Sequence, residues 1–177
     1  MTDVKMILAG FGGQGILFLG KVISYAGLVD GKEVSWLPSY GPEMRGGTCN
    51  CSVCVSDEPI SSPLVTAPDV LVALNNPSLD KFIGKVTPGG TVLVDSSLVT
   101  AEITRSDVTV HKIPATRLAV ENGFKGLANM IMLGKLHRET RIFSDESLKK
   151  GVEKSVPPGK TALIESNLKA VELGAQQ

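Results

Sequence analysis

"VKMILAGFGGQGILFLGK", residues 4–21, decides the fold. An apolar run passes without a spacer into glycines at G-x-G-x-x-G spacing, Gly10, Gly12 and Gly15, and then into a helical pattern. Strand, tight turn and helix in that order open a βαβ unit, and glycines so spaced can cradle a pyrophosphate at the helix start. The helix is predicted from about Gly13 to Asp30. Ile16, Gly20, Ile23 and Gly27 fall on one stripe, whose small residues let the helix lie close on a sheet. The strand "KEVSWL" follows, and the crossover into it is expected to be right-handed.

Downstream, "TCNCSVCVS" alternates as a strand covered on one face, and an antiparallel insert is expected around residues 47–56. "DVLVAL" (69–74) and "TVLVD" (91–95) are solid apolar runs that suit strands covered by helices on both faces, with a short helix in "PSLDKFIGKV" between them. "VTVHKI" (108–113) reads as another strand, and Pro114 fits a helix start. "GLANMIMLGKLHRE" reads as a buried helix, with Leu127, Ile131 and Gly134 on one stripe. "SDESLKKGVEK" opens with Ser144 as cap, and Phe143 and Leu148 are placed as a hydrophobic staple. "PPG" at 157–159 precedes a last amphipathic helix through Leu168 and Val171. The alternation predicts one domain over residues 1–177: a doubly wound, mainly parallel α/β sheet, Rossmann-like, with helices on both faces.

The residues beyond the glycine turn constrain its ligand. A dinucleotide site needs an acid at the end of the second strand, and "SWLPSYG" has none there. Glu33 lies at the strand's entry end, so NAD or FAD is weakly supported. No Lys-Ser/Thr pair follows Gly15, so the Walker pattern also fails. Free N–H groups of Gly12, Gly13 and Gln14 at the helix start are expected to favour an anion, with the Gln14 side chain adding a donor and an acceptor. The alternatives are a phosphate-containing ligand, a contact with a partner protein, or a tight turn that needs glycine only for its backbone angles.

Composition removes other classes. The chain has 177 residues, with 18 basic against 18 acidic, and no Lys/Arg cluster to hold nucleic acid. The N-terminal "MTDVKMILAGFGG" carries about six apolar residues before glycines intervene, too few for a secretory core or a membrane span, so a cytoplasmic protein is expected. The three cysteines, Cys49, Cys51 and Cys54, lie in one strand. Alternation puts Cys49 and Cys51 on one face with Val53 and Val55, and Cys54 on the other, so buried thiols are expected in place of a metal site. There is no G-x-S-x-G elbow, no H-E-x-x-H and no carboxylate pair in one motif. Chemistry done elsewhere, with this chain assisting, is the expectation.

The segment "LPSYGPEMRGGTCN", residues 37–50, is expected to form an ordered loop at the carboxyl edge beside the glycine turn. Arg45, followed by Gly46 and Gly47 that let its backbone come near, suits bidentate contact with a carboxylate or phosphate, or alternatively a salt bridge to Glu43 or an N-cap contact within the loop.

Together "GFGGQG", "PSYGPEMRGGTCNCSV", "SPLVTAPDVLVALNNPSLDKF" and "LANMIMLGKL" resemble the gamma subunit of 2-oxoacid:ferredoxin (acceptor) oxidoreductases, over about residues 4–138. The "SWLPSYGPEMRGG" form is most like the 2-oxoglutarate branch. The resemblance implies a non-autonomous subunit of a complex that oxidatively decarboxylates a 2-oxoacid with coenzyme A, giving acyl-CoA, carbon dioxide and reduced ferredoxin. Implied partners are alpha, beta and ferredoxin-like delta subunits, with thiamine diphosphate, magnesium and 4Fe-4S clusters on those chains. Carried onto this sequence, the family's glycine turn falls on Gly10, Gly12, Gly13, Gln14 and Gly15. Its second signature falls on Tyr40, Gly41, Pro42, Glu43, Arg45, Gly46 and Gly47. Both sets are implied to bind coenzyme A or pack against partners. A stand-alone Rossmann-type nucleotide-binding oxidoreductase and a ligand-free scaffold are the competing classes. Without partners, Met44, Trp36 and the "LANMIML" region are candidates for exposed apolar surface and self-association.

Overall fold

The computed structural model describes residues 2–39 and 48–177. Six strands form one sheet: β1 (Asp3–Phe11), β2 (Glu33–Ser39), β3 (Thr48–Ser56), β4 (Val70–Ala73), β5 (Thr91–Asp95) and β6 (Thr109–Ile113). Their spatial order is β2-β3-β1-β4-β5-β6. β1, β4, β5 and β6 are parallel, while β3 runs antiparallel to both β1 and β2. The expected antiparallel insert is therefore β3. It lies between the two strands of the predicted βαβ unit, so β1 and β2 run in the same direction without touching.

Among the described residues six α-helices accompany the strands: α1 (Ile16–Val29), α2 (Asn76–Phe82), α3 (Ala115–Glu121), α4 (Ala128–Thr140), α5 (Asp145–Ser155) and α6 (Leu163–Ala175). They divide unequally. The larger core joins α1, α3, α4, α5 and α6 to one face of the sheet, and the smaller core sets α2, Val65 and Val99 against the other. The cysteines follow the strand alternation: Cys49 and Cys51 enter the first core with Val53 and Val55, and Cys54 enters the second. Thiols on opposite faces of a sheet do not surround one metal.

Glycines set how closely the layers meet. A Cβ on Gly20 would come within 2.7 Å of Cys51 Sγ and 2.8 Å of Trp36 Nε1, and one on Gly27 within 2.8 Å of Val34 Cγ2. The small-residue stripe read from the sequence is thus the line along which α1 lies on β2 and β3. Gly134 and Gly174 do the same between α4 and α6, where a Cβ on either would overlap the other helix's backbone.

Two expectations are corrected. The first helix begins at Ile16, not Gly13, because Gly13 (φ 96°) and Gly15 (φ 75°) adopt left-handed conformations that no α-helix contains. The "LANMIML" region is not an exposed patch. Met130, Ile131, Met132 and Leu133 are fully buried, because α4 lies under α6 as well as on the sheet. Trp36 does reach the surface, and Met44 lies outside the described residues. Ser144 caps α5 as expected, accepting from Ser147 N at 3.1 Å, and Phe143 and Leu148 are both buried in the larger core.

Candidate functional site at the carboxyl edge

From the carboxyl end of β1 the chain leaves through α1 toward β2, and from that of β4 it leaves through α2 toward β5, on the other side. Connections diverging in this way open a crevice outside the strand ends, where ligands of open α/β sheets collect. A cleft of about 540 Å³ lies at this point. Gly13 and Gln14 of the glycine turn, Leu74 after β4 and Asp95 at the end of β5 form its floor. Thr116, Ala119 and Val120 of α3 and the Gly123–Ala128 connection form its far wall.

The glycine turn is built for shape. Gly15 needs its left-handed backbone and also has no room for a side chain, since a Cβ would overlap the Asn129 amide. Gly13 also has positive φ, but a Cβ there meets nothing, so its backbone lies open toward the cleft. On Gly10 a Cβ would reach 2.7 Å from Gln14 Oε1. Gly12 is exposed.

Gln14 departs from the expectation of a free N–H and a free side chain. Its N–H donates to Phe11 O at 3.2 Å within the turn. Its Oε1 accepts from Phe11 N at 2.6 Å and Asn75 Nδ2 at 3.3 Å, and its Nε2 donates to Leu74 O at 3.1 Å. The reason is the delayed helix start: the turn must close on itself before α1 begins, and the amide side chain supplies the closing bonds. The positive end of the α1 dipole accordingly sits at Gly15 and the first turn after it.

Asp95 and its neighbours were not singled out in the sequence. Asp95 is fully buried at the end of β5. It accepts from Ser97 N at 3.0 Å, from Thr116 N at 3.1 Å and from Thr116 Oγ1 at 2.5 Å, fastening α3 to the strand. An acid closing an apolar strand run was the available signal. Leu98, 41% exposed, and Val120, 74% exposed, stand at the mouth, and among the described residues lining the cleft Lys125 supplies the one formal charge other than Asp95. Asp95 being saturated by its own donors, the cleft offers an apolar wall, an open glycine backbone and a cation. That combination accepts an extended, partly apolar, anionic molecule.

Tyr40, Gly41, Pro42, Glu43, Arg45, Gly46 and Gly47 lie outside the described residues. Their flanks are placed: Ser39 ends β2, and Thr48 pairs in register with Phe11, next to the glycine turn.

Over residues 5–177 the chain matches the family described as pyruvate ferredoxin/flavodoxin oxidoreductase. It is 46% identical over 170 residues to the 2-oxoglutarate synthase subunit KorC of Methanocaldococcus jannaschii, covering 94% of this chain and 89% of that protein. It is 41% identical over 174 residues to the ketoisovalerate oxidoreductase subunit VorA of Methanothermobacter thermautotrophicus, covering 98% of this chain and 36% of VorA, so it spans about a third of that relative. The structure of a keto/oxoacid ferredoxin oxidoreductase gamma subunit from Geobacter sulfurreducens superposes with TM-score 0.87 at 31% identity, covering 99% of this chain and 96% of that one. A 2-oxoglutarate:ferredoxin oxidoreductase from Magnetococcus marinus, described with 2-oxoglutarate, coenzyme A and succinyl-CoA bound, superposes with TM-score 0.87 at 26% identity, covering 99% of this chain and 31% of that one. The likeness thus continues past residue 138 through the last two helices, and the chain belongs to the pyruvate ferredoxin/flavodoxin oxidoreductase family.

Proposed function

We propose that this chain is the gamma-type subunit of a multisubunit 2-oxoacid:ferredoxin oxidoreductase, acting on 2-oxoglutarate. The reaction is oxidative decarboxylation of the 2-oxoacid with coenzyme A to acyl-CoA, carbon dioxide and reduced ferredoxin. The observation that carries this reading is the likeness to a gamma subunit that is a separate chain, at TM-score 0.87 with 99% and 96% coverage. The KorC identity of 46% favours 2-oxoglutarate, while the VorA relative keeps branched-chain 2-oxoacids as the second choice.

This chain's own part is binding. The cleft at the carboxyl edge receives a portion of coenzyme A: Lys125 faces a phosphate, the open Gly13 backbone lets the ligand approach, and Leu98 and Val120 cover its apolar part. Thiamine diphosphate, magnesium and 4Fe-4S clusters belong to alpha, beta and delta subunits. The three thiols of this chain split between two cores, an arrangement that does not suit a 4Fe-4S cluster. Thiamine diphosphate supplies the carbanion chemistry where it is bound. Affinity purification of the tagged chain from its native source tests the reading. It should bring down thiamine-binding and ferredoxin-like polypeptides, and the complex should reduce ferredoxin with 2-oxoglutarate and coenzyme A. Isolation of the chain alone, or turnover by the chain alone, would refute it.

A further inference from the structure

The edge strand β2 carries large apolar side chains on both faces. Trp36, 38% exposed, lies against α1 beside Leu28, 56% exposed, and with Tyr25 and Val34 they line a shallow cleft of about 270 Å³. The next residue, Leu37, points to the opposite face and lines a second cleft of about 700 Å³ with Leu64, which is 61% exposed. Among the described residues β2 pairs with β3 alone, leaving its outer edge without a strand neighbour.

Sheet edges that face water are ordinarily blunted by charge. The opposite edge, β6, follows this rule: it bears His111 and Lys112, and His111 Nε2 lies 3.7 Å from Glu139, which Lys135 also meets at 2.8 Å. β2 has one charged residue, Glu33, at its first position. Apolar groups on both sides of an edge whose one charge sits at its first position mark a surface covered by another polypeptide. Pro38 has no N–H to offer an added strand, so the contact is made by side chains on the two faces and not by a long main-chain ladder.

The relatives indicate what covers it. The same unit makes up 89% of KorC but 36% of VorA and 31% of the Magnetococcus chain. A unit fused to further polypeptide in some relatives and separate in others needs, when separate, a surface that holds what the covalent link otherwise retains. We infer that β2, through Trp36 and Leu37, docks the companion polypeptide that corresponds to the remaining two thirds of VorA. Lys81 and Lys85 line the Leu37 cleft and no carboxylate does so among the described residues, so the docked segment carries a carboxylate beside its apolar residues. This rests on the subunit reading above.

Trp36 is the only tryptophan in the chain, which makes the test direct. The chain is co-expressed with that companion polypeptide, and acrylamide quenching is compared between wild-type and Trp36→Phe complexes to isolate the Trp36 signal. The expected result is a blue-shifted Trp36 emission whose quenching falls several-fold relative to the chain alone. A Leu28→Glu/Leu37→Glu chain should co-purify with the companion at least tenfold less while its own thermal unfolding is unchanged. A complex in which Trp36 is as quenchable as in the free chain, or a double variant that assembles as wild type, overturns the inference. So does equal protection on concentrating the chain alone, which would make a second copy the occupant. Absence of any complex would instead overturn the subunit reading, and this inference with it.

Discussion

Gln14 Nε2 donates to the main-chain carbonyl of Leu74 at 3.1 Å, tying the turn after β1 to the end of β4 across the crevice where the sheet's connections diverge. The same side chain accepts from Phe11 N and Asn75 Nδ2. Replacing Gln14 by Leu leaves these donors and the carbonyl without partners in a partly buried place, where unmet groups cost about 1–3 kcal/mol. In a chain of this length, a drop in Tm of roughly 2–4 °C per kcal/mol is expected by calorimetry. Affinity for coenzyme A should fall as well, because the cleft floor loosens.

Gly134→Ala and Gly174→Ala each place a methyl group in the other helix's backbone. Forcing α4 and α6 apart should cost about 2 kcal/mol or more in urea unfolding. Gly84→Ala and Gly159→Ala are the controls. Neither position has positive φ or any atom near the new Cβ, so these substitutions should be close to neutral.

Acid should loosen the contact between α1 and α5. Asp30 Oδ1 accepts from Ser144 N at 3.1 Å and Ser147 Oγ at 2.8 Å. Burial alone raises the Asp30 carboxyl, but these hydrogen bonds outweigh it and hold the group below the ordinary aspartate range. A carboxyl with a depressed folded-state pKa stabilises the fold above its unfolded pKa, and the contribution disappears as pH falls through the folded value. The acid limb of the stability profile, beginning below about pH 4, should therefore be shallower for Asp30→Asn than for wild type, in denaturant titrations across about pH 2–6.

The native thiols should be inert. All three cysteines are buried, and burial, opposed by a hydrogen bond from Trp36, pushes the Cys51 thiol up to about 12. A thiol-specific chromogenic reagent should therefore find no fast-reacting cysteine in the folded chain at neutral pH and three after denaturation. A thiol that reacts at once in the native state would contradict the placement of β3.

Legibility in the sequence followed physical range. The first strand, the glycine turn, the small-residue stripe of α1 and the split of the cysteines were readable because each depends on neighbouring residues and a fixed period. The helix start was misplaced because Gly13 and Gly15 are glycines for their left-handed angles, which spacing alone does not reveal. The insertion of β3 between β1 and β2, the burial of Met130–Leu133 under α6, and the Asp95–Thr116 clamp depend on pairings between residues distant along the chain. No local pattern encodes those.

Calorimetric titration of the chain with coenzyme A, alongside its Lys125→Glu variant, bears most directly on the claim that the carboxyl-edge cleft receives that molecule. Saturable binding at one site per chain is predicted, weakened about two- to fivefold by the substitution, as befits one exposed charge. No binding by the chain either free or in its complex, or identical affinities for the two proteins, would contradict it.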